Sequence, residues 1–205
     1  LNLAIETIGS PSIAVSDSMV HVIWPVWNSK KEMFAEMVYR RSKDNGSSWE
    51  PPNKLETNAY EYGDPKIVTS GLKIFLVWVK QESDSVYYLY SRRSLDGGIN
   101  WGPQTKLLDK PAKAMFYSIA ASGSKLHLVW TDKRFGDWSD KAIYYKRSTD
   151  AGITWESETR LPINPEESPF APFFIAISGS AVHVAWLGSA NSHSEVYYKQ
   201  NPTGN

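Results

Sequence analysis

Three aspartates recur in one setting. Ser42, Asp44, Gly46 and Trp49 keep the same spacing as Ser94, Asp96, Gly98 and Trp101, and as Ser148, Asp150, Gly152 and Trp155. A carboxylate beside a hydroxyl is a candidate for acid–base work. Recurrence argues otherwise, because groups placed once per repeat lie on a ring too wide to meet at one substrate. The chemistry this spacing supports is local. An Asp accepts hydrogen bonds from backbone N–H groups two residues on, a Gly permits positive φ, and a Trp buries a large ring. Each Ser-x-Asp-x-Gly-x-x-Trp segment is therefore expected to be a self-capped hairpin turn with its Trp largely buried.

The histidines follow the same logic. His21, His127 and His183 share one repeat position, where the second repeat has Phe75. A position that accepts Phe is a packing position, not a metal ligand or a general base. His193 stands off the repeat, in a connection. Arg41, Arg93 and Arg147 each precede the Ser of a turn, which suits contacts between repeats or to the turn itself. The chain has no Cys, so thiolate metal sites and disulfides are excluded. No metal or cofactor is expected.

Subtracting the repeat leaves the residues that could meet a ligand. Of nine Trp, only Trp27 and Trp138 have no repeat-equivalent, and Arg134 stands alone among the arginines. Asp132, Arg134 and Trp138 share the stretch Trp130-Thr-Asp-Lys-Arg-Phe-Gly-Asp-Trp138. Tyr60, Glu61, Tyr62 and Asp64 come from the connection after the first repeat, Phe116 and Tyr117 from the next, and Glu166, Glu167 and Phe170 from the third. Aromatic rings interleaved with carboxylates suit a neutral sugar surface, the rings stacking on C–H faces and the carboxylates accepting from hydroxyls. The competing expectation is that these aromatics plug the core. The ligand-binding set expected here is Trp27, Trp138, Arg134, Asp132, Tyr62 and Asp64.

The elements that must hold these residues are strands. Trp24, Trp78, Trp130 and Trp186 close alternating apolar runs at intervals of about fifty residues. Before each run stands a small-residue turn, and before that an Ile, at Ile13, Ile67, Ile119 and Ile175. A Tyr- or Val-rich third strand and a short fourth strand flank each Ser-to-Trp turn. Four antiparallel strands, repeated four times, is propeller architecture. The repeats run roughly 9–57, 63–109, 115–163 and 171–205, in one domain spanning 1–205. The fourth lacks a turn Trp and a fourth strand. Ile5-Glu6-Thr7 reads like Leu55-Glu56-Thr57, so residues 1–8 are expected to supply the missing outer strand, within the chain or across to a neighbour. Length varies only in the second and fourth connections, which puts the variable residues at one end of the repeats, where binding surfaces lie.

The Ser-x-Asp-x-Gly-x-x-Trp turns resemble the Asp-box, or BNR repeat, of sialidase-like β-propellers, and three copies in phase with four repeats cover nearly the whole chain. The resemblance implies an all-β propeller of four four-stranded antiparallel blades with Asp-box turns between the third and fourth strands. It also implies that the boxes face away from the active site. Sialidases hold a substrate carboxylate with three arginines and use a Tyr nucleophile, a Glu partner and an Asp acid/base. Arg134 alone cannot replace three guanidinium groups, so no catalytic residue is carried over.

Lys+Arg and Asp+Glu balance at 22 each in 205 residues, which offers no electrostatic footprint for nucleic acid or anionic membrane. The longest apolar runs are strand-sized and too short to span a bilayer. The chain begins at Leu1 with no basic region followed by an apolar one, so a secretory signal is either absent or already removed, and localisation is open, with secretion or cell-surface display compatible. The reading is a carbohydrate- or protein-binding module without a complete sialidase site, and a homo-oligomer if the ring closes between chains. The alternative is a glycoside hydrolase, a sialidase-like exo-glycosidase with part of its site on another segment or chain. A two-carboxylate mechanism depends on separations that sequence does not give.

Overall fold

The computed structural model describes residues 9–27, 34–60, 64–83, 86–108, 110–111, 116–132, 142–162, 168–190 and 193–201. Every regular element among them is a β-strand, as alternating Val, Ile, Tyr and Trp residues favour. Sheet one holds β1 (Ser12–Ser16), β2 (Met19–Trp27), β3 (Phe34–Ser42) and β4 (Asn53–Tyr60). Sheet two holds β5 (Lys66–Ser70), β6 (Lys73–Ser83), β7 (Val86–Ser94) and β8 (Thr105–Lys106). Sheet three holds β9 (Tyr117–Ser122), β10 (Lys125–Asp132), β11 (Ala142–Ser148) and β12 (Thr159–Arg160). In sheet four stand β13 (Ser168–Ser178), β14 (Ala181–Ala190) and β15 (His193–Asn201). Strands pair with their sequence neighbours in every sheet, all antiparallel.

Two-residue turns join the first two strands of each sheet. They need a residue at positive φ, which Asp17 (φ 53), Gly71 (φ 60), Gly123 (φ 61) and Gly179 (φ 61) supply. Such tight turns match strand twist and fix register. The register then sets the strand-end tryptophans opposite tyrosines. Trp78 pairs with Tyr90, Trp130 with Tyr144 and Trp186 with Tyr197, their ring centroids 6.0, 5.7 and 5.8 Å apart and stacked.

The chain divides into two compact units, Leu1–Asp109 and Lys110–Asn205. In the first, Ile23, Met37, Tyr39 and Leu55 of sheet one pack against Ile67, Ile74, Leu76, Trp78 and Tyr90 of sheet two. In the second, Val129 and Ile143 of sheet three pack against Phe173, Val182, Val184 and Trp186 of sheet four. Five repeat positions are common to both cores: Ile23 and Val129, Met37 and Ile143, Ile74 and Val182, Leu76 and Val184, Trp78 and Trp186. Sheet four has three strands among the described residues, where four were expected. Residues 1–8, expected to add the outer strand, lie outside the described residues.

Candidate functional site

At one end of sheets one to three sit the Ser-to-Trp turns. Ser42 Oγ donates to Asp44 Oδ1 (2.7 Å) and accepts from the Gly46 N–H (2.8 Å). Asp44 accepts from the Ser48 N–H (2.8 Å). The second turn repeats this with Ser94 to Asp96 (2.7 Å), Gly98 N–H to Ser94 (2.8 Å) and Asn100 N–H to Asp96 (2.9 Å). In the third turn Ser148 donates to Asp150 (2.8 Å), which accepts from the Thr154 N–H (2.9 Å). The main-chain donor thus lies four residues on, not two. Gly46, Gly98 and Gly152, at φ 85, 81 and 75, swing the chain round so that the later N–H points back at the carboxylate.

These bonds hold Asp44, Asp96 and Asp150 down to about 2. The Ser48 side chain leads for Asp44, the Asn100 N–H for Asp96 and the Thr154 side chain for Asp150. A carboxylate so held has no proton to give near neutrality, and its role is structural. The tryptophans are half-buried, less than the sequence suggested. Trp49 Nε1 donates to Gly46 O (3.1 Å), and Trp101 stands edge-on to Tyr39 with centroids 5.1 Å apart.

Next to the turns lie the histidines. His21 and His127 are buried, as is Phe75 at the matching position. Their Nδ1 atoms bond the hydroxyls of Tyr39 (2.7 Å) and Tyr145 (2.5 Å), and His183 bonds Tyr198 (2.7 Å). Burial, with Arg41 and Arg147 adding to it, pushes His21 and His127 down to about 4, so both are neutral packing groups at pH 7. Burial likewise pushes Tyr145 up to about 12. Arg41 pairs with Glu50 and donates to the Gly97 carbonyl of the neighbouring turn. Arg147 pairs with Glu156 (2.7 Å). For Arg41 and Arg147 the structural reading holds.

In sheets one to three, backbone bonds from Asn45, Gly97 and Ala151 to Ser18, Leu72 and Ser124 set the Ser-to-Trp turn beside the two-residue turn. The second strands therefore finish at the opposite end. Trp27 closes β2 there, its backbone in register with Ala35. Asp132 closes β10 opposite Ala142 and is 1% exposed. Asp64, just before β5, accepts from the Ser10 N–H (2.8 Å). A Cβ on Gly9 would come within 3.0 Å of Asp64 Oδ1 and 2.9 Å of Pro25 Cγ, so this carboxylate is set against the incoming chain. Trp27 and Asp64 belong to the first unit and Asp132 to the second. Tyr62, Arg134, Trp138, Glu61, Glu166 and Glu167 lie outside the described residues, and Phe170 is placed by its backbone in β13.

Three expectations change. Phe116 packs against the second unit's core and Tyr117 is buried, so both plug the interior. Tyr60 belongs to β4, opposite Phe34. His193 opens β15 opposite Ala190 instead of sitting in a connection, and is exposed.

A further constellation escaped the sequence reading. In sheet two the Tyr90 hydroxyl donates to Glu82. Lys106 Nζ lies 2.8 Å from Glu82 Oε1 and Lys80 Nζ 4.8 Å above the Tyr90 ring. Glu82 follows a strand-end Trp as Asp132 does, so the same subtraction could have flagged it. Burial first, and Glu82 second, raise the Tyr90 pKa. A phenolate nucleophile needs the opposite shift. Among the described residues no group of three His, Asp or Glu is placed to hold a metal ion.

No protein-family model matches the sequence, and no curated protein does. Solved structures do. An α-L-arabinanase from Penicillium chrysogenum superposes with a TM-score of 0.66 at 12% identity, over 93% of this chain and 62% of its own. A GH93 α-L-arabinofuranosidase from Fusarium graminearum gives 0.64 at 13%, over 93% and 61%. An endo-arabinase from Bacteroides thetaiotaomicron gives 0.57 at 16%, over 100% and 80%. At these identities the likeness shows the fold, an all-β arrangement of the propeller type. It does not support membership of the sialidase family. The chain spans about three fifths of the first two structures.

Proposed function

We propose that this chain is a carbohydrate-active propeller that handles its glycan at the sheet ends opposite the Ser-to-Trp turns. The observation that carries the reading is the fold's likeness, over 93% of the chain, to enzymes named for arabinan and arabinofuranoside cleavage. The turn-end carboxylates are held low and committed to backbone donors, which leaves the far end for chemistry. The proposed ligand-binding residues are Trp27, Tyr62 and Asp64 in the first unit and Asp132, Arg134 and Trp138 in the second, the rings for stacking and the charged groups for sugar hydroxyls. The reaction named for the similar structures is glycoside cleavage, which takes an acid and a base or nucleophile. In this reading the four sheets are blades and the Ser-to-Trp turns are Asp-boxes with a structural role.

A second reading is a glycan-binding module without turnover. It is favoured by the chain's coverage of only 62% of the arabinanase, which leaves room for part of that enzyme's site to have no counterpart here. Sugar release from arabinan, an arabinofuranoside, a xyloside and a sialoside separates the two. The hydrolase reading expects release from at least one pentose substrate, none from the sialoside, and loss in Asp132→Asn when rates are compared on folded protein at equal concentration. Binding without release on every substrate would favour the module. Release from the sialoside would contradict the reading of the arginines.

A further inference from the structure

The face of sheet two that packs on sheet one turns polar toward the end away from the turns. Ile74, Leu76 and Trp78 of β6 belong to the first unit's core, and Lys80 and Glu82 continue that alternation along the strand. The same two repeat positions hold Asp132 and Arg134 after Trp130. After Trp24 they hold Val26 and Asn28, and after Trp186 Gly188 and Ala190. The second and third repeats alone carry charge there, in opposite order.

The other strands of sheet two complete the group. Tyr88 stands opposite Lys80 and Tyr90 opposite Trp78, with Lys106 of β8 opposite Tyr90. Residues paired in this way share a face. Glu82 accepts from the Tyr90 hydroxyl and holds Lys106 Nζ with both oxygens, at 2.8 and 2.9 Å. Lys106 also lies 3.8 Å from the centre of the Tyr88 ring. Lys80 is held more loosely. Its Nζ sits 4.8 Å above the Tyr90 ring and 3.4 Å from Gln104 Oε1, a long contact to a neutral group. No carboxylate among the described residues forms an ion pair with it. Two ammonium groups against one carboxylate leave one positive charge over.

We propose that Lys80 and Lys106, set about the Tyr90 ring, hold the carboxylate of a uronic-acid residue in the glycan. This rests on the glycan reading above and adds an acidic sugar to what is recognised. An ammonium has three donors, and Lys80 spends only one of them, on a weak acceptor. Glu82 fixes Lys106 and presents its oxygens to sugar hydroxyls, while the half-buried Tyr88 lends apolar surface beside them. A purely structural ion-pair cluster would treat acidic and neutral sugars alike.

The test is calorimetric titration of the whole chain with digalacturonate, its neutral methyl ester and arabino-oligosaccharide, at low and high salt. Digalacturonate should bind saturably and about fivefold more tightly than the ester, the worth of one exposed ion pair. High salt should narrow that difference. Lys80→Gln should abolish it at an unchanged melting temperature, and Lys106→Gln serves if that variant does not fold. Lys73→Gln, at the turn end of the same strand, should leave it intact. Equal binding of acid and ester by the parent, or a difference that persists in both variants, overturns the proposal. Arabino-oligosaccharide that still binds in that case leaves the glycan reading standing, and binding of no sugar at all removes both.

Discussion

At the residue scale, a titratable side chain acts through what its neighbours allow it to be. Burial holds His21 and His127 at about 4, below the ordinary 6.5. The unfolded chain therefore binds more protons between pH 6.5 and 4, and their contribution is complete above pH 6.5 and drains away as pH falls toward 4. His127→Phe, which copies Phe75, should fold and show a flatter stability profile across that window, as urea melts at several pH values would reveal. An unchanged slope would remove the burial argument. The aspartates act lower. Asp96, ordinarily near 3.8 and held at about 2, contributes in full above pH 4 and loses its contribution as pH falls toward 2. Asp96→Ala should lower the melting temperature at pH 7 and narrow its gap to the parent at pH 2. The packing role of the histidines was legible in the sequence because Phe75 shares their position. Their tyrosine partners were not, because the cross-strand register that joins His21 to Tyr39 is set by turns whose geometry no spacing reports.

At the element scale, the Ser-to-Trp turn locks a strand pair and also serves the neighbouring sheet. Gly98 shows both functions. Its φ is 81, and a Cβ there would overlap the Tyr39 hydroxyl, which is tied to His21. Gly98→Ala should cost roughly 2–4 kcal/mol from combined overpacking and left-handed strain, measured by urea unfolding. Gly71 has the same sign of φ and open space around it, so Gly71→Ala should cost less. Trp101→Ala removes a half-buried ring that packs on the first unit's core, and about 3 kcal/mol, the low end for such truncations, is expected. A melt superposable on the parent would contradict that role. The strands and turns could be read from the sequence because each repeat restates them. The direction of the Asp hydrogen bonds could not, since it depends on where the positive-φ glycine turns the chain.

At the scale of the whole molecule, four sheets follow one pattern and the fourth departs from it. Val196 is 74% exposed, whereas its equivalents Met37, Leu89 and Ile143 are fully buried. An exposed apolar sheet face invites association, and among the described residues no strand pairs with the outer edge of β15, where β4, β8 and β12 pair in the other sheets. Residues 1–8 remain the proposed outer strand, and deleting them should increase concentration-dependent light scattering. The fold was legible at this scale because periodicity is a property of sequence. The far-end residues were legible only as departures from it, since Trp27, Arg134 and Trp138 share no spacing that fixes where connections place them. Calorimetric titration of the parent, Trp138→Ala and Trp101→Ala with arabino-oligosaccharide tests the central claim most directly. The account predicts that Trp138→Ala weakens binding at an unchanged melting temperature, while Trp101→Ala lowers the melting temperature and leaves the affinity of the folded protein intact. Binding untouched by Trp138→Ala but lost with Trp101→Ala would place the glycan at the turns and contradict it.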